Sequence, residues 1–251
     1  AAKAREWFDT QKVDMLGDVA ATAPALAALQ VAKQKNKIAL FPSAASSRLS
    51  NEDCSAISVH WTYDTYALAA GTGRGVVKSG GDSWFFLTAD YAFGTNLEKD
   101  TTEVIKAEGG RVIGSVRHPL NASDFSSFLL QAQSSKAKIV GLANAGGDMI
   151  NAIKAANEFG ITKNQKLAAL LVFINDVHSM GLNVAQGMLL TEAFYWDSSD
   201  EARKWSRRFF EQHKRMPNMA QAGIYSGITH YLKAVAAAGT DDTTAVMAKM
   251  K

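Results

Sequence analysis

Five histidines, one cysteine and 24 carboxylates are the groups from which this chain could build a catalytic or metal centre. Their spacing favours neither. His60, His118, His178, His213 and His230 are scattered, and only His60 and His178 fall near expected strand ends. Neither has a Ser or Cys neighbour at the spacing of a nucleophile–base pair. No G-x-S-x-G elbow and no H-E-x-x-H pair occurs. Cys54 stands alone, so an internal disulfide and a cysteine-built metal site are both excluded. The chain reads as a non-enzyme, with no catalytic residue, cofactor or metal expected.

Phosphate chemistry is the next candidate. The stretch "GLANAGGDM" follows an apolar run and opens an amphipathic one, which is the setting of a phosphate-binding turn. A Walker loop needs a Lys after its last glycine, and here Asp148 follows Gly146 and Gly147. A carboxylate in that place repels a phosphate. "GTGRGVV" at 71–77 has glycines at suggestive spacing, but it lies inside an expected helix and follows no strand. Nucleotide binding is therefore disfavoured.

What remains is a set of turns rich in small polar and aromatic residues: Thr22; Ala44, Ala45 and Ser46; Tyr91 and Phe93; Asn144 and Asp148; Asn175 and Asp176. Short Ser/Ala/Gly turns let backbone N–H groups approach an anion closely. Aromatic rings give rigid apolar walls. Any one of these turns is ordinary turn chemistry. Several at one sheet edge suit a small solute that bears a carboxylate.

The elements that must position these turns alternate regularly. Strands are expected at "VDMLGDV", "KIALFPS", "SWFFLTA", "RVIGSVRHP", "AKIVGLA", "KLAALLVF" and "GMLLTEAFYW". Helices are expected over 22–36, with Thr22 as cap, over 66–80, from about 95 to 108, after a Ser123 cap, and over 148–160. Two more follow Asp197. Strands that are apolar throughout are buried on both faces, and repeated βα units imply an α/β doubly wound fold. Ligands of such sheets sit beyond the carboxyl ends of the strands, where the polar turns fall. A long polar connection through "SSRLSNEDCSAISVHWTYD" suggests a crossover between lobes, with a second near "LTEAFYWDSSD". The expected division is residues 1–61 with 192–251 in one lobe and 62–191 in the other. The chain opens and closes inside helices, which suggests a segment of a longer protein.

The net charge of +3, from 27 basic and 24 acidic residues, is too small to argue for nucleic acid. No apolar run reaches the length of a membrane span, and "AAKAREWFDTQ" lacks the pattern of a signal peptide. The densest basic stretch, "EARKWSRRFFEQHKR", reads as a surface helix with a packed apolar stripe.

The order of motifs resembles the type I periplasmic solute-binding proteins of branched-chain amino acid ABC transporters, and within them the branch that binds aromatic acids. The residues that carry this are "LFPSAASSRLS", "VHWTYDTYA", the long run from "FFLTADYAFG" to "GLANAGGD", and "QGMLLTEAFYWD". The resemblance implies a fold of two lobes, each a parallel sheet flanked by helices, that close by a hinge on a solute in the cleft. It implies a periplasmic monomer that delivers a small carboxylate to a membrane ABC permease. The same fold serving as the sensing domain of a receptor or regulator is the alternative.

Residue by residue, the resemblance assigns Ala21 and Thr22 to one ligand loop and Ala44, Ala45 and Ser46 to a carboxylate clamp. Phe93 stands where the family usually has Tyr, with Tyr91 close by. Asn144 and Ala145 form another loop, and Ala145 stands where amino acid binders often carry an aromatic. Asn175, with Asp176, stands where amino acid binders tend to carry a Glu that pairs the ligand ammonium. Trp61 and Tyr63 add aromatic lining. Asp148 would read a polar substituent. These departures favour an aromatic acid, of phenylpropanoid or benzoate type, over an amino acid. The family chain is longer, and this sequence lacks its first βαβ unit and its last crossover.

Overall fold

The computed structural model describes residues 1–251. The chain divides into two compact units, one formed by 1–64 with 217–251 and the other by 65–216. Residues 192–216, expected with the terminal lobe, fall with the central unit in this division. Each unit is a parallel sheet flanked by helices, the α/β class that the sequence pattern implies.

The first unit holds α1 (Ala2–Asp9), β1 (Met15–Leu16), α2 (Thr22–Lys35), β2 (Ile38–Phe41) and β3 (Ser58–His60). The order is β1-β2-β3, all parallel. Strand β2 is buried along its whole length, and alternation sends its side chains to opposite faces. Ala39 and Phe41 pack with Phe8 of α1 and Ala25, Leu29 and Ala32 of α2. Ile38 packs on the other face with Tyr231, Val246 and Met250. Those three come from α11 (Met219–Ala238) and α12 (Thr243–Met250), numbered in chain order after the helices of the second unit.

In the second unit, α3 (Thr65–Leu68) and α4 (Arg74–Lys78) are joined by a π-helical turn at Ala69–Gly73. There follow β4 (Ser83–Ala89), α5 (Ala92–Ala107), β5 (Arg111–His118), α6 (Ser126–Ser134), β6 (Ile139–Ala143), α7 (Gly146–Glu158) and β7 (Lys166–Ala169). Short helices α8 (Ile174–Met180) and α9 (Leu182–Ala185) and the longer α10 (Asp200–His213) complete it. The strand order is β5-β4-β6-β7, again all parallel. Strand β4 is central and every residue of it is buried. Phe85 and Leu87 join the core formed with α6 and α7. Trp84 and Phe86 point to the other face, where Gly141 of β6 makes room: a Cβ there would lie 2.7 Å from the Phe86 ring. Each such fully buried side chain contributes on the order of 1.5–3 kcal/mol.

Four local expectations are corrected. Residues 187–196 form no strand. Thr191 is instead held by side-chain contact, its hydroxyl 2.8 Å from that of Thr72, and Gly71 admits it where a Cβ would lie 2.3 Å from its oxygen. Thr22 is not a cap but the first residue of α2, behind Ala21, which offers no side-chain acceptor. Ser123 does not cap α6; the Asp124 carboxylate takes the Ser126 N–H at 2.8 Å and hydroxyl at 2.6 Å. A charged acceptor outcompetes a neutral hydroxyl for these donors. Helix α5 also begins earlier than expected, at Ala92. No helix is long and apolar enough to cross a membrane.

Candidate functional site

Parallel strands put their carboxyl ends on one edge, so each unit gathers its own set of loops there. In the first unit these are 17–22 after β1, 42–46 after β2 and 61–64 after β3. Neither 17–22 nor 42–46 contains Lys or Arg. An anion bound by these two loops would meet their N–H and O–H groups, not a Lys or Arg of the loops themselves.

Thr22 is 1% exposed and its hydroxyl has no hydrogen-bond partner, at the N-terminus of a 14-residue helix. Ala21 before it is exposed and extended. Ala44, Ala45 and Ser46 are all buried. The Ser46 hydroxyl accepts the Arg48 N–H at 3.3 Å and so caps the short 3₁₀ turn at Ser47–Leu49. His60 pins this segment: one ring nitrogen donates to the Ala44 carbonyl at 2.7 Å, and the other lies 2.6 Å from the Ser50 hydroxyl, which donates to it. Burial holds its pKa below the ordinary histidine value, so the ring is neutral.

Tyr63 is buried and donates its hydroxyl to the Ser43 carbonyl at 3.2 Å. Trp61 stacks on His230, centroids 5.1 Å apart, and donates its N–H to Ser226 at 2.9 Å. One face of the indole is thus covered by α11. Asp18, which sequence reasoning missed, ties two loops together by accepting the Ser43 hydroxyl at 3.1 Å. Burial raises its pKa, and its second oxygen is buried without a partner. The signal for it was a carboxylate two residues beyond a strand at the edge that carries the other turns.

In the second unit the edge carries the loops after β4, β6 and β7. Tyr91 is the residue before α5, with its ring 5.7 Å from that of Phe93. Its phenol is pushed up to about 12, by burial and then by the charge of Asp148. Tyr91 and Asp148 are therefore neighbours across two loops. Asp148 is itself buried and accepts the Asn121 N–H at 3.0 Å. Gly94 keeps α5 close to the sheet, since a Cβ would lie 2.1 Å from the Ala89 carbonyl oxygen.

Asn144 is fully buried and its amide nitrogen lies 3.1 Å from a ring nitrogen of His118. The other His118 nitrogen donates to the Pro119 carbonyl at 2.8 Å, which makes the first an acceptor and the Asn144 amide its donor. The Asn144 carbonyl oxygen is left without a partner. His118, expected as an ordinary histidine, thus orients a loop side chain, and nothing in its sequence neighbourhood signalled that. Ala145 caps α7 by backbone alone, and a Cβ at Gly146 or Gly147 would meet nothing within 4 Å. This turn borders open space.

Asn175 reaches the Met216 carbonyl at a long 3.5 Å. Asp176 accepts the Phe173 N–H at 2.9 Å, and burial raises its pKa. Glu192 lies near it. Burial, and then the Asp176 charge, pushes Glu192 up to about 8, and one of its oxygens has no partner. Sequence reasoning missed Glu192 because it placed residues 187–196 in a strand. No cluster of three or more His, Cys, Asp or Glu side chains could hold a metal ion.

The sequence pattern of periplasmic binding proteins matches residues 1–251. A crystal structure of a periplasmic binding protein from Burkholderia mallei is 58% identical and superposes with a TM-score of 0.96, over 99% of this chain and 66% of that one. The chain belongs to the periplasmic binding protein family. A branched-chain amino acid ABC transporter ligand-binding protein from Burkholderia xenovorans is 35% identical, with a TM-score of 0.83 over 99% of this chain and 67% of that one. A solute-binding protein from Rhodopseudomonas palustris, solved with 3,4-dihydroxybenzoic acid, shares the fold at 23% identity and a TM-score of 0.89, over 99% and 69% of the two chains. No curated protein matches. This periplasmic binding protein chain therefore spans about two thirds of the length of its solved relatives.

Proposed function

We propose that this chain is the larger part of the solute-binding protein of an ABC importer, that it works in the periplasm, and that it passes its ligand to a membrane permease. Its mechanism is binding, without turnover. The ligand is a small carboxylate, with an aromatic acid favoured over an amino acid. The N–H groups of 44–46, the Ser46 hydroxyl and the Thr22 hydroxyl hold the carboxylate. Tyr63 and the free face of Trp61 in the first unit, and Tyr91 with Phe93 in the second, each offer an apolar wall to a ring. Asn144 and Asn175 read polar substituents.

One observation carries the preference for an aromatic acid. Both carboxylates assigned to the ligand loops of the second unit are already engaged with backbone N–H groups, Asp148 with Asn121 and Asp176 with Phe173. Neither is set aside as the partner of a ligand ammonium, and Asn175 is neutral. The open space beside Gly146 and Gly147 suits a ring. That this fold accommodates such acids is supported by the relative that carries 3,4-dihydroxybenzoic acid.

The test is a calorimetric comparison of benzoate, 4-hydroxybenzoate and a cinnamate with leucine, phenylalanine and glutamate, on the full-length protein. Binding of the aromatic acids alone is expected. Binding of the amino acids alone would overturn the ligand class. Conversion of any ligand would overturn the binding mechanism.

A further inference from the structure

The stretch from Lys204 of α10 to Arg215, two residues beyond the helix, carries charge out of proportion to its length. From 204 to 215 there are five cations, Lys204, Arg207, Arg208, Lys214 and Arg215, against one carboxylate, Glu211. That is a net of +4 in a chain whose net charge is +3, so the other 239 residues together carry −1. All five cations are exposed. None takes part in an ion pair, although Arg203 on the same helix pairs with both Asp197 and Asp200.

The helix cannot roll to hide them. Its apolar stripe is committed inward: Trp205 meets Phe194 edge-on at 5.5 Å and Phe209 at 5.8 Å, and Ala202 and Ser206 are buried. On the outer side Phe210 is 43% exposed. Tyr195, next to Phe194, is 49% exposed. Five exposed cations without a carboxylate partner, beside a half-exposed ring, are complementary in charge to an extended anionic surface. Clusters of Lys and Arg are drawn to anionic bilayers by the negative surface potential.

We propose that the 204–215 face of α10 is a docking surface for an anionic lipid bilayer, independent of the solute site. The contact is peripheral. Phe210 and Tyr195 reach the headgroup level, and the cations sit among lipid phosphates. Such a surface would keep the protein near the membrane and raise its rate of encounter with any membrane-embedded partner.

The experiment is co-sedimentation of the protein with phosphatidylglycerol-containing vesicles, compared with pure phosphatidylcholine vesicles, across a salt titration. Each cation near an anionic bilayer changes partitioning by roughly fivefold, so R207Q/R208Q should weaken it roughly 30-fold. K204Q/K214Q, at other positions on the face, should weaken it similarly. Thermal melts confirm that each variant folds. Salt-sensitive binding to anionic vesicles that both variants weaken is the expected result. No binding to them at low salt, equal binding to phosphatidylcholine, or variants that bind like wild type would each overturn the proposal. Binding to soluble poly-glutamate with none to vesicles would assign the face to an acidic polypeptide and overturn it too. Solute affinity is measured separately by calorimetry, so failure of the solute reading leaves this result unaffected.

Discussion

Glu192 gives the sharpest test of the electrostatics. Its carboxyl titrates at about 8 against an unfolded value of 4.5, first because burial disfavours the charged form and then because Asp176 repels it. A carboxyl with a raised folded pKa holds its proton more tightly in the folded state. Its contribution to stability is therefore greatest below 4.5 and falls steadily as pH rises toward 8, after which the full cost of ionisation is present. At about 1.36 kcal/mol per pKa unit the shift would be worth about 4.8 kcal/mol, an upper bound. Glu192 is only half-buried, and water screens such a group, so about 2–3 kcal/mol is the working figure.

Glu192→Gln keeps the shape and removes the charge. Above about pH 8.5 the variant should be more stable than wild type by about 2–3 kcal/mol, and near pH 5 the two should be nearly equal. For a unit of this size that is a rise of roughly 4–12 °C in Tm at alkaline pH. The assay is urea or thermal unfolding of both proteins across this range, read as the difference between them, which cancels every group they share. A difference that stays flat within about 0.5 kcal/mol from pH 5 to 9 would refute the buried-acid reasoning. Asp176→Asn should flatten the wild-type slope only in part, because burial is the larger cause.

Thr22→Val removes a buried hydroxyl that has no partner in the protein, so stability should hold or rise by up to about 1 kcal/mol while solute affinity falls; unchanged affinity in calorimetry would remove Thr22 from the clamp. Ser46→Ala should weaken solute binding by roughly tenfold and, through loss of the cap on Arg48, cost about 1 kcal/mol in urea melts; unchanged affinity would refute its role. Gly94→Ala places a methyl 2.1 Å from a backbone oxygen that cannot give way easily, and should lower stability by about 3 kcal/mol or more; a Tm within 2 °C of wild type, the shift expected from under about 1 kcal/mol, would contradict the close approach of α5 to β4.

The fold was legible where periodicity is long and unambiguous. "SWFFLTA" is continuously apolar and becomes the fully buried centre of its sheet, with bounds as expected. "RVIGSVRH" alternates and becomes the edge strand, open on every second residue. Misreadings came where a short apolar run had two uses. "GMLLTEAFYW" looks like a strand, but a strand needs a neighbour, and these residues contact α3–α4 through side chains instead of joining a backbone ladder. "KLAALLVF" is strand only to Ala169, because the ladder with β6 ends there. Capping was misread for a similar reason: Ser and Thr near a helix start are common, and which oxygen wins depends on geometry that the sequence does not carry.

The candidate site shows the same limit at finer scale. The sequence places Asp148 and Asp176 at the correct sheet edge, and either could pair a ligand cation. What it cannot state is that a backbone N–H from another segment, Asn121 for Asp148, or from three residues earlier, Phe173 for Asp176, has taken each carboxylate. Nor can it state that His118 has taken the donor end of Asn144 and left the acceptor end free. A carboxylate that completes a turn and one that awaits an ammonium are the same letter in the sequence. Asp148→Asn separates the two roles, since the amide oxygen can still accept the Asn121 N–H. If Asp148 only completes the turn, the variant keeps aromatic-acid affinity within about threefold, under about 1 kcal/mol. A loss beyond about thirtyfold would put the charge of Asp148 in contact with the solute and reopen the case for an amino group on it.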